Sequence, residues 1–481
     1  MNSQENKLRF KLGYGVADIY GGGAFLIISI MYLYFLTDIV LLAAWMAGSI
    51  PFVGRVWDAI TDPLMGRIVD RTKSKFGAKR FYLLVGSFIA SITFFLIWIN
   101  VTGPDWFQYV FYLVTFILFS TGFTIVMVPY NALLPDMITD YHLRGQYTAF
   151  RMIFSAVSAI LGGLIPDMII RNFGGGTSGY IWMGAIFGLI FFVALFLTFL
   201  NTWELPSQSE AIEEKKALKH SLTVFKNRAF KMYLGVFLFG QGSVDFIMAL
   251  VLYFLTYVLF QSDQYILVMA GVLSSQLLAM FLYQFLLKKH SKKVPAWIGF
   301  PLQIVATLAM FFFAYEGAPI WPIVGLSFLL GFGTAAGTVT SFAILADMAD
   351  VDELITSQRR AGTYSGMATF SRKIANGIAL GLVGLLLWVI GYDGTLDVQT
   401  PLTVMGLRLM FIVLPVIFVL FAMFFVYKYP VTVAGFEILR KEIDRRKGLT
   451  DEAVTDEEKA ICEAMTGYAY EDLWKKDNAG I

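Results

Sequence analysis

The chain has few residues that could support redox, metal or histidine chemistry. It contains one cysteine, Cys462, among 481 residues, so no disulfide can form within the chain. Its histidines, His142, His220 and His290, all fall in polar stretches between apolar segments. No glycine-rich phosphate loop is present either. These absences argue against a membrane-embedded enzyme, and against zinc or histidine-relay chemistry within a membrane.

Charged residues are scarce as well. They make up 15% of the chain, against roughly 25% in soluble domains, while 57% is hydrophobic and the mean hydropathy is +0.67. The formal net charge of +2 gives no basic footprint for nucleic acid. The N-terminal MNSQENKLRFK lacks the short apolar region of a signal peptide. The composition therefore predicts a multi-pass membrane protein surrounded by lipids, with no nucleic-acid partner.

Apolar runs divide the chain into two halves. Runs of roughly 20 residues, long enough to cross a bilayer as helices, occur about twelve times. The segment L-Y-F-L-T recurs at Leu33–Thr37 and Leu252–Thr256, at equivalent places in the two halves. Two parallel repeats are the architecture of major facilitator transporters. The sequence thus predicts an all-α membrane protein with twelve transmembrane helices. Its parts are six-helix bundles at 1–201 and 229–429, a cytoplasmic central linker at 202–228 and a cytoplasmic tail at 430–481.

Lysine and arginine concentrate on alternate loops. Those on one side are Lys7, Arg9, Lys11, Arg71, Lys73, Lys75, Lys79, Arg80, Lys215, Lys216, Lys219, Lys288, Lys289, Lys292 and Lys293. The opposite loops carry Arg171 as their one clear case. Cytoplasmic loops are the ones enriched in basic residues. This pattern predicts a protein of the cell (cytoplasmic) membrane, with both termini and the central linker in the cytoplasm.

Two aspartates lie inside an apolar segment that should cross the membrane. Asp58 and Asp62 occur in G-R-V-W-D-A-I-T-D-P-L-M-G, residues 54–66, and their spacing places both on one helix face. A charged side chain at mid-bilayer costs at least ~2.5–3.5 kcal/mol. A pair of carboxylates one turn apart suits a site that accepts a cation or a proton. The alternative is that Asp58 only pairs with Arg55, which leaves Asp62 unexplained.

Several motifs occur in an order typical of one transporter family. They are Y-G-V-A-D at 14–18, Y-F-L-T-D at 34–38, W-D-A-I-T-D-P at 57–63, V-P-Y-N-A-L-L-P at 128–135, R-G-Q-Y-T-A-F-R-M-I-F at 144–154, R-R-A-G-T-Y-S-G at 359–366 and S-R-K at 371–373. From about residue 10 to 430, the chain resembles the glycoside–pentoside–hexuronide:cation symporters of the major facilitator superfamily. The resemblance implies secondary active symport of a sugar or glycoside with Na⁺ or H⁺ by alternating access. It implies no cofactor besides that coupling ion. The alternative is a major facilitator transporter of a non-sugar substrate, such as an organic anion or a lysolipid.

The resemblance also implies a cation site. Its residues are Asp58, Thr61, Asp62 and Thr124, with Asp58 and Asp62 as metal ligands if the protein couples to sodium. Carboxylate and hydroxyl oxygens are hard ligands that suit small hard cations. Melibiose-type members often carry asparagine where this chain has Thr61, which leaves Na⁺ and H⁺ both open.

The predicted substrate site departs further from the melibiose type. The residues at matching positions are Gly22, Met127, Asn131, Arg151 and Lys373. The predicted set also includes Asp18, one turn before Gly22, for which a structural role is the alternative, and Asp245 of the seventh apolar run. Gly22 and Met127 stand where melibiose-type members have aspartates, and Asn131 stands where they have a stacking tryptophan. A galactoside held by paired carboxylates is therefore not expected. With Arg151 and Lys373 retained, an anionic sugar becomes a reasonable substrate.

Three charged residues have open interpretations. Lys373 is a natural partner for Asp58 and Asp62, but Arg372 and Lys373 could instead extend to the cytoplasmic interface. Asp245 stands isolated in the seventh apolar run. It either lines the cavity, with Gln241, or makes a structural hydrogen bond.

The loop from Gly66 to Arg80 resembles the major facilitator loop signature, with an acid followed by a basic cluster. We expect Asp70 and Arg71 to act in gating, by pairing with other helix ends. The alternative is that the basic cluster only anchors the loop in the cytoplasm.

Overall fold

The computed structural model describes residues 7–138, 140–205, 221–450, 452–475 and 477, and within these ranges the chain is helical with no strand. The long helices are α1 (Leu8–Tyr32), α2 (Ala44–Arg71), α3 (Ala78–Leu96), α4 (Asp105–Met137), α5 (Tyr141–Asn172), α6 (Gly176–Leu200), α7 (Arg228–Tyr253), α8 (Tyr265–Leu287), α9 (Val294–Met310), α10 (Ile320–Leu345), α11 (Ala361–Val389) and α12 (Pro401–Lys428).

Eleven helices of the described chain are long and apolar enough to cross a membrane. The remaining long helix, α2, has 28 residues, but Arg55, Asp58 and Asp62 interrupt its apolar sequence. With α2 counted as the twelfth span, the predicted all-α fold class is confirmed.

The predicted domain boundaries stay a prediction. Most of the predicted central linker, residues 206–220, lies outside the described residues, including its basic residues Lys215, Lys216 and Lys219. The described chain resumes before α7, which begins at Arg228.

The chain start and the segment after α6 lie on one side of the bundle. Arg9 Nε donates to Asn201 Oδ1 at 2.8 Å, and the backbone N–H of Lys79 donates to Glu204 at 2.9 Å. We call this the linker side, and the opposite side the distal side.

The halves contact each other most closely through α2 and α11. A Cβ placed on Gly48 of α2 would lie 2.7 Å from the Cα of Gly384 of α11. Only residues without a side chain allow two helix backbones to approach so closely. This crossing brings Asp58 and Asp62 of α2 near the basic residues of α11.

The sequence repeat has a structural counterpart at the distal ends of α1 and α7. Each copy contributes its last residues to a short π-helical segment, Phe35–Ile39 and Phe254–Val258. At the equivalent place after each segment, a non-glycine residue adopts positive φ: Leu41 (65°) and Phe260 (55°). π-Helical turns often occur at functional sites. The repeat is therefore one of backbone conformation as well as of sequence.

These segments join the two halves at the distal side. The hydroxyl groups of Tyr257 and Tyr392 both donate to Asp38 Oδ1 at 2.6 Å. The hydroxyls of Thr37 and Tyr253 lie 2.6 Å apart. We call these five residues the distal seal.

Some glycines near the linker-side helix ends have space beside them. Within the described part of the chain, a Cβ placed on Gly66 of α2, on Gly145 of α5, or on Gly362 or Gly366 of α11 would meet no atom within 4 Å. The halves are thus hydrogen-bonded together at the distal side, whereas these linker-side positions of α2, α5 and α11 make no close contact with described residues of a neighbouring helix.

The tail is folded onto the C-terminal half, although its sequence is polar. Its helices, Val433–Arg446 and Asp456–Thr466, share an apolar cluster with the short helix Met348–Thr356 and the start of α7. Backbone N–H groups of Trp474 and Lys475 donate to the carbonyls of Leu354 and Ile355. These bonds satisfy carbonyl groups that the end of the short helix leaves free.

Candidate cation and substrate site

Asp62 lies at the contact between the halves and has partners from both. Lys373 Nζ of α11 lies 2.5 Å from Asp62 Oδ2, and Thr124 Oγ1 of α4 donates to Asp62 Oδ1 at 2.7 Å. The Asp62 side chain is 28% exposed and that of Lys373 is 13% exposed. Lys373 therefore pairs with Asp62 and does not extend to the cytoplasmic interface of the membrane.

Asp58 lies one turn away and is fully buried. Arg55 Nη1 donates to Asp58 Oδ2 at 3.0 Å, and Lys373 Nζ lies 4.0 Å from the same oxygen. Arg55 also donates to Asn376 Oδ1 at 3.3 Å and stacks 4.1 Å from the Phe25 ring. The pairing of Asp58 with Arg55 is thus present, in addition to the neighbouring Asp62 cluster.

One carboxylate oxygen is left without a hydrogen bond in this cluster. Asp58 Oδ1 is buried and accepts no hydrogen bond within the described chain, and Ser120 Oγ also has no partner there. A buried unsatisfied acceptor is costly, so it marks a place where a transported cation or proton would fit. The donor set of carboxylate and hydroxyl oxygens suits Na⁺ as well as a proton.

Thr61 has a different role from Thr124 in this arrangement. Thr61 Oγ1 donates to the Trp57 carbonyl of its own helix at 3.1 Å, a bond common for threonine within helices. Trp57 Nε1 in turn donates to Thr121 Oγ1 at 2.9 Å. Thr124 is therefore hydrogen-bonded to the carboxylate cluster, whereas the hydrogen bond of Thr61 is to α2 itself.

A second ion pair lies within the N-terminal half. Arg151 Nε of α5 lies 2.6 Å from Asp18 Oδ2 of α1, and Arg151 Nη2 donates to Asn131 Oδ1 at 2.9 Å. Tyr130 OH donates to Asp18 Oδ2 at 3.0 Å. The structure thus brings together three predicted substrate residues from three helices.

The other two substrate candidates of this half are packed against neighbouring side chains. A Cβ on Gly22 would lie 2.7 Å from Ser158 Oγ, and one on Gly21 would lie 2.6 Å from the Met127 methyl. Met127 is 9% exposed. Gly22 allows α1 to approach α5, and the substrate contacts of Gly22 and Met127 stay a prediction.

A third ion pair lies within the C-terminal half. Arg372 Nη1 and Nη2 donate to the two Asp245 oxygens at 2.6 and 2.8 Å. Asp245 is therefore not an isolated acid, and Arg372 does not extend to the interface. Gln241, one turn before Asp245, donates to Thr338 Oγ1 at 2.8 Å.

The two gating candidates lie at the end of α2 on the linker side. Asp70 and Arg71 are both exposed, where the helix ends face open space. Lys79 of the same loop region pairs with Asp136 at the end of α4. The gating role of Asp70 and Arg71 stays a prediction.

Four residues that contact the site are absent from the predicted set. Arg372 and Asn376, one turn apart on α11, contact Asp245 and Arg55. Arg55 and Tyr130 contact Asp58 and Asp18. The signal for Arg372 was present, because an unpaired acid in one span requires a base in another. The polar Asn376 gives no comparable signal in a single sequence.

Comparison with known proteins identifies the family and the fold of the chain. Residues 13–433 match the family model described as MFS/sugar transport protein. The chain is 28% identical to "Putative glycoside/cation symporter YagG" of Escherichia coli (strain K12), over 93% of this chain and 97% of that one. It is 25% identical to the "Glucuronide carrier protein homolog" of the same organism, over 94% and 99%. The crystal structure of a D-xylose-proton symporter superposes with a TM-score of 0.62 at 16% identity, covering 87% of this chain and 97% of that one.

Proposed function

The chain belongs to the MFS/sugar transport protein family, and on that premise we propose that it imports a sugar or glycoside together with a cation. The observation that carries this proposal is the cluster of Asp58, Asp62, Thr124 and Lys373. In this cluster the Lys373 ammonium lies beside two carboxylates where a coupling cation would bind. Membrane-embedded charges of this kind mark ion and substrate pathways.

The coupling ion and Lys373 compete for the same carboxylates. When Na⁺ or H⁺ binds at Asp58 and Asp62, the attraction that holds Lys373 there is weakened, and its ammonium becomes available to the substrate. By linkage, a cation that raises substrate affinity is itself bound more tightly when substrate is present. The membrane potential adds ~2.3 kcal/mol per charge per 100 mV to inward cation movement.

Transport proceeds by alternating access in the cell membrane, with the linker side in the cytoplasm. The distribution of lysine and arginine supports this orientation. The described conformation is then inward-facing, and the formed distal seal, which joins the halves on the outer side, supports this assignment. Opening of the distal seal would expose the same central site to the outside.

The test of this proposal is uptake into proteoliposomes across a panel of glycosides, with imposed Na⁺ or H⁺ gradients. Asp58→Asn and Asp62→Asn each remove an anionic ligand, so both variants should lose concentrative uptake while keeping part of downhill exchange. Asp105→Asn is the matched control, because that acid is exposed at the start of α4. Full concentrative uptake by both site variants would contradict the cation-site assignment.

We propose, more narrowly, that the transported sugar is anionic. Arg151 and Lys373 are the basic groups that could bind its carboxylate, and a displaced Lys373 supplies the countercharge. Hexuronides should therefore compete for uptake better than their neutral analogues, and Lys373→Met should remove that preference. Equal competition by neutral and acidic sugars in the wild-type protein would leave Arg151 and Lys373 as structural or gating charges.

A further inference from the structure

A crevice of about 320 Å³ lies where α5 of the N-terminal half and α8 of the C-terminal half separate toward the linker side. Its apolar walls include Ala156, Ala159, Ile160, Leu277, Met280 and Phe342. Phe342 of α10 is 63% exposed, so this apolar side chain is left uncovered by the protein itself.

The distal end of the crevice is closed. A Cβ on Gly163 of α5 would lie 2.6 Å from Leu273 Cδ1 of α8, and Tyr265 OH donates to the Gly163 carbonyl at 2.8 Å. The crevice therefore ends at this contact, so a group that occupies it cannot extend past Gly163 toward the distal side.

The crevice is next to the charged centre on both sides. Ser155 lines it and lies one turn after Arg151 on the same face of α5. Thr338 also lines it and is bonded to Gln241, one turn before Asp245 of α7. An apolar crevice thus lies one helical turn from Arg151 of the Asp18–Arg151 pair, and it is linked through Thr338 and Gln241 to the helix that carries Asp245.

We infer that the substrate is a glycoside with an apolar aglycone, which occupies this crevice while its sugar is held among the ion pairs. The inference rests on the proposed function and narrows its substrate class. The volume lies at the lower end of the roughly 300–1,000 Å³ of ligand pockets. It suits an aryl ring or a short alkyl chain, and the closed distal end excludes long chains from that direction.

The experiment compares methyl, phenyl and octyl β-glycosides of glucose, galactose and glucuronic acid as ligands of the purified full-length protein. Binding is measured by ligand-induced thermal stabilisation across a concentration series. For the sugar that binds, the phenyl glycoside should bind about tenfold more tightly than the methyl glycoside, because its ring is removed from water.

Ala159→Phe places a ring in the crevice and should reduce phenyl-glycoside affinity to that of the methyl glycoside, which is measured on the same variant. The matched control is Ala185→Phe, in a crevice of about 390 Å³ between α3 and α6 of one half. Leu277→Ala tests the pocket in the opposite sense, because enlarging it should improve octyl-glycoside binding. This second variant keeps the test decisive if Ala159→Phe does not fold.

Equal affinity for methyl and phenyl glycosides in the wild-type protein would overturn the inference and leave the proposed function intact. Failure of every glycoside to bind or be transported would overturn both. Stabilisation by a lysophospholipid, with no response to the phenyl glycosides, would replace the glycoside by a single-chain lipid substrate.

Discussion

Acids and bases of the central site occur in pairs. Asp18 pairs with Arg151, Asp58 with Arg55, Asp62 with Lys373, and Asp245 with Arg372. An unpaired charge in a low-dielectric interior is strongly destabilising, so each pair makes its members tolerable within the membrane. A cation bound at Asp58 and Asp62 adds one positive charge that these acid–base pairs do not neutralise. We expect the protein to respond by moving Lys373, the base with two carboxylates in reach.

Thr124 and Thr61 are the threonines of the candidate cation site, and they should contribute unequally to it. Thr124→Ala should weaken Na⁺-stimulated substrate binding about tenfold, because it removes a hydrogen bond to the charged Asp62, worth ~1.5–3 kcal/mol. Thr61→Ala should have a smaller effect, since its hydrogen bond is to the Trp57 carbonyl. The measurement is substrate affinity at fixed pH with and without Na⁺.

The same variants distinguish the coupling ion. If substrate binding follows pH and ignores Na⁺ in the wild type and in both variants, the protein couples to H⁺. If Thr61→Ala weakens the response to Na⁺ more than Thr124→Ala does, the ligand geometry described here is wrong for the cation-bound state.

At this scale the sequence predicted some of the contacts between charged residues and missed others. The spacing of Asp58 and Asp62 and the expected proximity of Lys373 could be read from motifs. The lone Asp245 likewise indicated that a base must lie near it, but the identity of that base as Arg372 depends on how α7 and α11 are rotated about their axes. Nor could the sequence show that Thr61 bonds within its own helix, since threonine has that option at any helical position.

At the scale of elements, the folded tail is the clearest departure from expectation. Its sequence is polar, and polarity alone predicts a solvated segment. The structure instead buries Leu439, Ile443 and Cys462 against the short helix Met348–Thr356. Glu442, 1% exposed, accepts hydrogen bonds from Arg446 and Tyr470. The tail therefore stabilises the linker side of the C-terminal half, where the short helix Met348–Thr356 lies.

The reactivity of Cys462 reports whether the tail is docked. Burial raises the pKa of this thiol to about 12, so at pH 8 on the order of a thousandfold less thiolate is present than for an ordinary cysteine. Maleimide labelling of the native protein should therefore be very slow. Because the thiolate is the reactive form, labelling should accelerate as the pH is raised toward this pKa.

Glu442→Ala should speed this labelling at least about tenfold, because it removes the buried carboxylate that accepts hydrogen bonds from Arg446 and Tyr470 and so weakens the docking of the helix. The control is Glu437→Ala, which removes an exposed acid from the same helix. Rapid labelling of the wild-type protein would show that the tail is not docked as described.

At the scale of the whole molecule, the two halves meet through equivalent parts of the repeat. The π-helical segments Phe35–Ile39 and Phe254–Val258 supply Asp38 and Tyr257 to the distal seal. The sequence predicted the repeat and its position at the outer end of the first helix in each half. It did not predict the contact between them, because their proximity depends on which conformation of the transport cycle is populated.

The distal seal should set the balance between the two conformations. Tyr257 and Tyr392 each donate a hydrogen bond to one carboxylate, and a hydrogen bond to a charged group contributes ~1.5–3 kcal/mol. Combined Tyr257→Phe and Tyr392→Phe should shift the population toward the state open at the distal side by about tenfold or more. The rings remain, so their packing against neighbouring side chains is retained.

The measurement is the distribution of distances between spin labels at Trp106 and Leu402, on a Cys462→Ser background. Both positions are exposed at distal helix ends, one in each half. The double variant should gain a population with a longer distance, whereas Tyr315→Phe, at an exposed distal tyrosine, should not. If the double variant keeps the wild-type distribution, then Asp38 does not hold the halves together. Closure at the distal side would then depend on the apolar contacts of α1 and α7 and on the α2–α11 crossing.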